Sequence, residues 1–528
     1  MIFGDFFNTI GAELPLSFRA TFDASCPTAD LAGDEGKPPS RVESVSWKLC
    51  KGLVTSRSPA RCASIGLTND LGVDNPDGQL TRAPPAMTAD LTAAKTSDIL
   101  ATPSVLPAGV RTRILIYLSV LLALLGFGSP AGGLIGLPIS FLLKNKLHLK
   151  AHEMAIFALI AGAPAYVSFL FGFARDIWNP FGMRDRGFMV PFGGLCAALY
   201  VMFAFAPVNY QSLLAANLLL GTAFLFVSSA QNGLTSALGQ QHVMSGQVST
   251  AWNIVGSLPG IAALILGGSL SDLMESHDAA RAAHLLFLVG AAVMALVALY
   301  GLWKPASVFD NLQAERASDA HPVDDIKRLV KHWPIYPALL IWFLWNFAPG
   351  SGTPLQYYLQ DALHAEDSQW GQWNAIFSAS FIPTFLVYGV LCRKFSLRPL
   401  LFWGTVVAIP QFVPLLFIHS VTGALIAAAP IGLMGGVATA AYLDLMIRSC
   451  PGGLQGTLLM MSAALYAIVA GLGNLLGTNL YDHFGGFTVC VIAITAVYAV
   501  ILPVLLLVPK RLIDTADGQI PAVAFTTD

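Results

Sequence analysis

The chain has 528 residues, 55% hydrophobic and 11% charged, with a formal net charge of −2 and a mean hydropathy of +0.64. A soluble domain carries about 25% charged residues, so these few charges cannot coat a water-facing surface of this size, and a lipid bilayer must form part of the solvent. The near-neutral balance gives no sign of a nucleic-acid partner, and the seven cysteines are dispersed without the Cys-x-x-Cys spacing of a metal or redox site.

Residues 1–108 hold clustered Asp, Pro, Ser and Thr and no apolar stretch long enough to span a bilayer. They lack the charged start and apolar core of a secretory signal. A segment of this kind buries too little surface to offset its ordering entropy, so it is expected to be disordered. Met87 opens "MTADLTAAKTSDIL" and is a candidate true start, in which case the residues before it are not made.

From Arg113 onward, polar punctuation cuts the chain into stretches near the 20 residues a membrane helix needs. They fall at 113–143, 153–174, 187–207, 211–235, 248–271, 283–303, 335–360, 370–392, 398–418, 423–447, 455–480 and 486–508. The expected fold class is therefore an all-α polytopic membrane protein with twelve transmembrane helices. Arg111, Arg175, Arg184, Arg186, Lys327, Arg393, Arg448 and Lys510 all fall in connections on one side, whereas Lys144, Lys146, Lys150 and Arg281 fall on the other. Basic residues concentrate in cytoplasmic loops, which places both termini in the cytoplasm of a cell in whose membrane the chain is expected to lie.

The longest connection, 304–334, is charged and divides a six-helix half at 109–303 from another at 335–511, followed by a tail at 512–528. A repeat supports two parallel halves. "GQVSTAWNIVGSLPGIAALILGGSLSD" from Gly246 and "GTLLMMSAALYAIVAGLGNLLGTNLYD" from Gly456 have equal length and share their glycine start and Gly-x-x-Leu-x-Asp end.

Between the second and third stretches lies "GFARDIWNPFGMRDRG". It resembles the loop signature of the major facilitator superfamily, with Gly172 and Asp176 matching its first part and Gly182, Arg184 and Arg186 its second. Farther on, "LLIWFLWNFAPGSGTPLQYYLQDAL", "YGVLCRKFSLRPLLFWGTVV" and "LMIRSCPGGLQGTLLMMSAAL" together resemble the folate–biopterin transporter family of that superfamily. The chain departs from that pattern at Gln455, where the family has Glu, at Gly452, where Pro is common, and at Asn232 and Ala237, where span four has Asp and Glu.

The resemblance implies the major facilitator fold, alternating access between two rocking halves, and a small organic solute as cargo, with a pteridine-like ring as the first candidate and protons as a candidate coupling ion. It also implies that polar residues of spans one, four, seven and ten line a central cavity. Those available are Gln231 and Asn232, Asn346, Gln356 and Tyr357, and Asp444, with Asn253 and Asn474 on neighbouring helices. Amides offer both donors and acceptors, which suits a neutral or heteroaromatic ligand, and Trp342, Trp345, Tyr357 and Tyr358 could stack on a ring. Against this, amides between membrane helices also serve as packing contacts worth about 0.6 kcal/mol each.

Asp444 and Arg448 stand one turn apart on one helix face, either as an ion pair ending span ten or as a coupling carboxylate with its partner. Pro349 and Gly350 mark a hinge in span seven, since Pro removes a helix hydrogen bond. Asp176 is expected to approach the start of span eleven at Gln455, Gly456 and Thr457, where unpaired N–H groups favour negative charge, and so latch the halves together. The corresponding loop "CRKFSLRP" has no Asp, which makes the latch one-sided. No nucleophile elbow, phosphate loop or zinc-protease motif is present. The chain is thus not expected to be an enzyme or to hold a metal or cofactor. A facilitator-type carrier of another cargo, such as a sugar-peptide or nucleotide conjugate, and a non-transporting sensor or assembly factor on the same scaffold remain open.

Overall fold

The computed structural model describes residues 106–131, scattered positions between 135 and 147, and then 151–276, 279–309 and 322–519. The expectations for residues 1–105, including Met87, and for the linker core at 310–321 lie outside those residues.

The described chain is all helical, with no strand among the described residues. Twelve helical runs make up the bundle among the described residues, with short helices at Ala306–Phe309, Pro322–Lys331 and Lys510–Ile513 besides. The twelve begin with α1 (Ala108–Gly128), α2 in three pieces (Ala151–Ala161, Ala163–Tyr166 and Ser168–Ile177), α3 (Arg186–Ala204), α4 (Tyr210–Gln241), α5 (Ser245–Ser276) and α6 (Ala279–Leu302). After the linker come α7 (Ile335–Asn346, resuming at Thr353–Tyr357), α8 (Asp367–Lys394), α9 (Leu397–Ala408), α10 (Val421–Ser449), α11 (Gln455–His483) and α12 (Phe487–Leu505). Among the described residues, nine helices are each long and apolar enough to cross a membrane; α2 and α7 are broken, and α5 is the third run outside that set.

Local chemistry sets the boundaries. The Asn209 side chain accepts from the Ser212 N–H at 2.8 Å and starts α4, and Ser420 accepts from the Gly423 N–H at 3.2 Å at the start of α10. Each satisfies one of the backbone donors a helix start leaves unpaired. In α7 the ladder stops at Asn346 and resumes at Thr353, with Pro349 and Gly350 in the gap and Gly350 at φ 123°. That backbone suits glycine, and a Cβ there would also meet the Cys490 side chain at 2.7 Å. Asn474 of α11 holds the second segment, accepting from the Thr353 N–H and donating to its hydroxyl, both at 2.9 Å.

The buried apolar side chains form two clusters. One runs from Ile114 to Val308 and takes in Leu443 and Ile447 of α10; the other runs from Ile335 to Ile513. The first cluster thus borrows two residues from α10, at the end of the bundle where Arg175, Arg393, Arg448 and Lys510 gather. We call that end the basic face.

Candidate functional site

The basic face carries a dense set of bonds between α1–α6 and α7–α12. The short third piece of α2 ends at Ile177, and its Asp176 is buried. The Asp176 carboxylate accepts from the Gly456 N–H at 3.2 Å and from the Thr457 N–H and hydroxyl, both at 2.6 Å. These are the first residues of α11, whose leading N–H groups have no partner within the helix. Their dipole makes the position favourable for a carboxylate. Close approach is needed: a Cβ on Gly172 would run into the Gly456 carbonyl and lie 2.9 Å from Met460 Cβ, and one on Gly456 would stand 2.7 Å from Asp176 Oδ1. Ser168 adds a bond to the Met460 carbonyl at 2.8 Å.

Arg175 holds this acid from behind. Its guanidinium donates to Asp185 at 2.6 Å and to Asp176 at 2.8 Å. It rests on Gly233, where a Cβ would lie 2.4 to 2.6 Å from the guanidinium and displace it. Neither Arg175 nor Asp185 stood out in the sequence as a site residue, although both lie inside the quoted loop motif.

The other expected gate residues divide. Arg448 donates to Asp444 and to the Ser245 hydroxyl across the seam, and Gln455 donates to the Gln240 side chain at 3.1 Å. Gln240 in turn donates to the carbonyls of Ile447 and Cys450, at 2.8 and 2.7 Å. Gly182 and Arg184 shape the loop instead, with φ of 67° and 53°, and the Arg184 N–H donates to the Asn179 side chain. Arg186 stays within the first half, donating to the carbonyls of Gly301 and Leu302 that end α6.

The residues expected to line a cavity are not gathered into one place. Gln231 bonds Thr235 at 3.1 Å and borders a small space together with Ser119, Thr235 and Trp252. Asn232 faces the seam, 3.0 Å from the Met460 sulfur. Asn346 donates to the Trp342 carbonyl one turn back, Gln356 is half-buried in the second segment of α7, and Tyr357 is exposed beside Tyr481. Asp444 lies apart from these. It is fully buried, bonded to Tyr388 at 2.7 Å and paired with Arg448 at 2.8 Å. Of the aromatics, Trp345 stacks on Tyr498 and Tyr358 on Phe487, while the Trp342 ring N–H bonds the Ser462 carbonyl.

One partner could not be foreseen from spacing. The segment after α12 turns back along the basic face, and Asp517 accepts from the Gly246 N–H at 3.1 Å and the Gln247 N–H at 2.9 Å. Its backbone N–H donates to Cys392, its carboxylate also meets Arg448 at 3.1 Å, and the Gly518 N–H donates to Val243 at 2.7 Å. Burial and the adjacent Asp444 push the Asp517 carboxyl up to about 6.

Twelve helical runs in this order, joined by a seam of buried carboxylates at helix starts, define the major facilitator fold. The family model described as the Major Facilitator Superfamily matches residues 245–473. Among solved structures, the chain is similar to the transporter FucP in the outward conformation, at 17% identity over 74% of this chain and 98% of that one, with a TM-score of 0.57. A second structure of FucP is described as the E. coli fucose:proton symporter. The proton:xylose symporter XylE is similar at 14% identity, with 78% and 98% covered and a TM-score of 0.55. The human organic anion transporter MFSD10 is similar at 15% identity, with 76% and 100% covered and a TM-score of 0.52. No curated protein sequence matches the chain.

Proposed function

We propose that this protein is a secondary transporter that moves a small organic solute across a membrane by alternating access, with residues 109–303 and 335–511 as its two moving halves. The observation that carries the reading is the seam on the basic face. Hydrogen bonds between the halves involve residues 168–176 and 232–249 on one side and 393–460 and 517 on the other. The described bonds between the halves gather at one end of the bundle, as in an alternating-access carrier closed at that end. With the basic face in the cytoplasm, that state is outward-facing, and the likeness to FucP in the outward conformation supports it.

Asp176, Gly456 and Thr457, backed by Arg175, form the latch that must open for the other state. Pro349 and Gly350 would supply the hinge of α7, and Gln231, Asn346 and Gln356, which are not gathered into one place in this state, are proposed to meet cargo. A pteridine-like solute stays the first candidate on the sequence resemblance, and the named cargoes of the structural neighbours make sugars and organic anions the next to test. Proton coupling is the candidate energy source. The burial of Asp444 against Arg448 and Tyr388 favours a second reading, in which the scaffold senses a ligand without pumping it. Purified protein in vesicles, tested for uptake of labelled folate, biopterin, sugars and organic anions with and without a pH gradient, decides between them. Accumulation that collapses with the gradient supports coupled transport; binding in a thermal-shift screen with no uptake of the bound solute refutes it.

A further inference from the structure

We propose that Asp517 is a second latch of the basic face, a carboxylate carried in by the C-terminal segment to the place where loop α8–α9 supplies none. The inference rests on the reading of Asp176 as the first latch and extends it to the opposite pair of helices.

The correspondence is residue by residue. Gly246 and Gly456 begin the two copies of the sequence repeat, and each lies in the first turn of its helix. Asp176 takes the N–H groups of Gly456 and Thr457; Asp517 takes those of Gly246 and Gln247. Behind each acid stands an arginine shared with a second aspartate, Arg175 with Asp185 and Arg448 with Asp444. Each glycine is needed where it stands: a Cβ on Gly246 would meet Cys392 Cβ at 2.8 Å and Asp444 Oδ2 at 2.9 Å, as one on Gly456 would meet Asp176. A free helix start attracts a carboxylate from any part of the chain that can reach it. Here the covalent source differs while the receiving geometry repeats.

The segment does more than present one acid. Thr515 accepts from Arg448 through its carbonyl at 2.8 Å, and the Asp517 N–H donates to the Cys392 carbonyl at 2.9 Å, which seats the segment on the second half. Its bonds to Gly246, Gln247 and Val243 belong to the first half. Val243 holds φ at 50°, an unfavourable backbone for a β-branched residue, and Gly518 donates to the carbonyl of that same residue. The segment is a strap across the seam, anchored on α8 and α10 and gripping the turn into α5.

The test reads the strap directly and does not depend on transport. Amide hydrogen exchange is followed at residues 244–250 and 455–460 in the whole protein and in Asp517→Ala. Exchange at Gly246 and Gln247 should rise at least tenfold, while Asp514→Ala, at an exposed neighbouring acid, leaves it unchanged. Should Asp517→Ala fail to fold, a protease site placed at Asp514 and cleaved after purification removes the strap from an already folded chain, with the same rise expected. Position is checked with Asp517→Cys in a chain whose only other cysteine is Cys392, since Asp517 Oδ2 lies 3.8 Å from Cys392 Sγ; oxidation should join the two. Unchanged exchange at Gly246 and Gln247 after either loss of the strap, or no cross-link, overturns the proposal. If the exchange results hold and no solute is taken up by the intact protein, the strap stands and the transport reading falls.

Discussion

Neutralising Asp176 should loosen the basic face by a predictable amount. Asp176→Asn keeps the shape of the side chain and removes its charge. Two of its bonds to α11, those from the Thr457 N–H and hydroxyl, are short at 2.6 Å. A hydrogen bond to a charged group contributes about 1.5–3 kcal/mol and a neutral one about 0.5–1.5 kcal/mol, so each short bond loses about 1 kcal/mol. Arg175 keeps Asp185 at 2.6 Å and is not left uncompensated, which confines the effect to the seam. A total of about 2 kcal/mol raises the open population about 30-fold. Cys450 is a natural reporter, 6% exposed in the turn between α10 and α11 and held by Gln240 across the seam. Its alkylation should speed up by about that factor, while Cys490, buried in α12 away from the seam, keeps its wild-type rate as a control for unfolding. If Cys450 reacts at the wild-type rate in Asp176→Asn, the Asp176 bonds do not hold the halves together and the latch reading fails.

Three further outcomes follow from the same geometry. Gly172→Leu drives a side chain into the Gly456 carbonyl and Met460; overpacking of this kind costs about 1–3 kcal/mol, so Tm should fall and Cys450 should alkylate faster, with Gly194→Ala, at a position with open space, as the silent control. Asp444→Asn removes one partner of a buried pair, a loss of about 3–5 kcal/mol when nothing else remains; because Arg448 keeps Asp517, the fall in Tm should sit at the low end of that range and any pH dependence of uptake should survive, whereas an unchanged Tm with lost pH dependence would make Asp444 the coupling acid. Acidification should tighten the strap: docked Asp517 titrates at about 6 among Asp444, Arg448, Cys392 and the first turn of α5, against about 3.9 for a free Asp. Burial costs the docked carboxylate more than Arg448 and the helix start return, so the docked form binds the proton more readily; docking strengthens as pH falls from about 6 toward about 3.9 and levels off at its weakest above about 6. Exchange at Gly246 and Gln247, corrected for its intrinsic pH dependence, should slow between pH 7.5 and pH 5, and a speeding would contradict the sign.

What was readable in the sequence followed from local physics. Helix count came from apolar length, which the bilayer imposes on each span separately. The break in α7 came from Pro349 and Gly350, because a missing donor and a positive φ are properties of single residues. The meeting of Asp176 with Gly456 was expected from family resemblance and from the anion preference of a helix start. The rest depends on long-range placement. Nothing in "IDTADG" distinguishes Asp517 from Asp514, yet one is buried on Arg448 and the other stays exposed. Arg175 and Asp185 were hidden in the same loop as Asp176, since a basic loop is also what topology demands. Asp444 was grouped with cavity residues by its span, and its pairing with Arg448 was one of two readings of the spacing; what spacing could not show is the Tyr388 hydroxyl that closes the pair and Asp517 on the other side of Arg448.

The latch and the hinge are joined by one element, and this bears on how the halves could exchange states. α11 is continuous from Gln455 to His483. Its first turn receives Asp176, and Asn474, 18 residues on from Gly456 and so about 27 Å along the axis, grips Thr353 beyond the break in α7. Gly477, almost one turn later, packs against the Gly350 backbone, where a Cβ would stand 2.6 Å from its nitrogen. A tilt of α11 that frees Gly456 from Asp176 must therefore move the second segment of α7 on the opposite side, or else break the Asn474 bonds. The energies suit such an exchange. Moving a two-state balance from 99:1 to 1:99 takes about 5.5 kcal/mol. On the figure worked for Asp176, neutralising two such latches removes about 4 kcal/mol, most of that value and within reach of a bound solute.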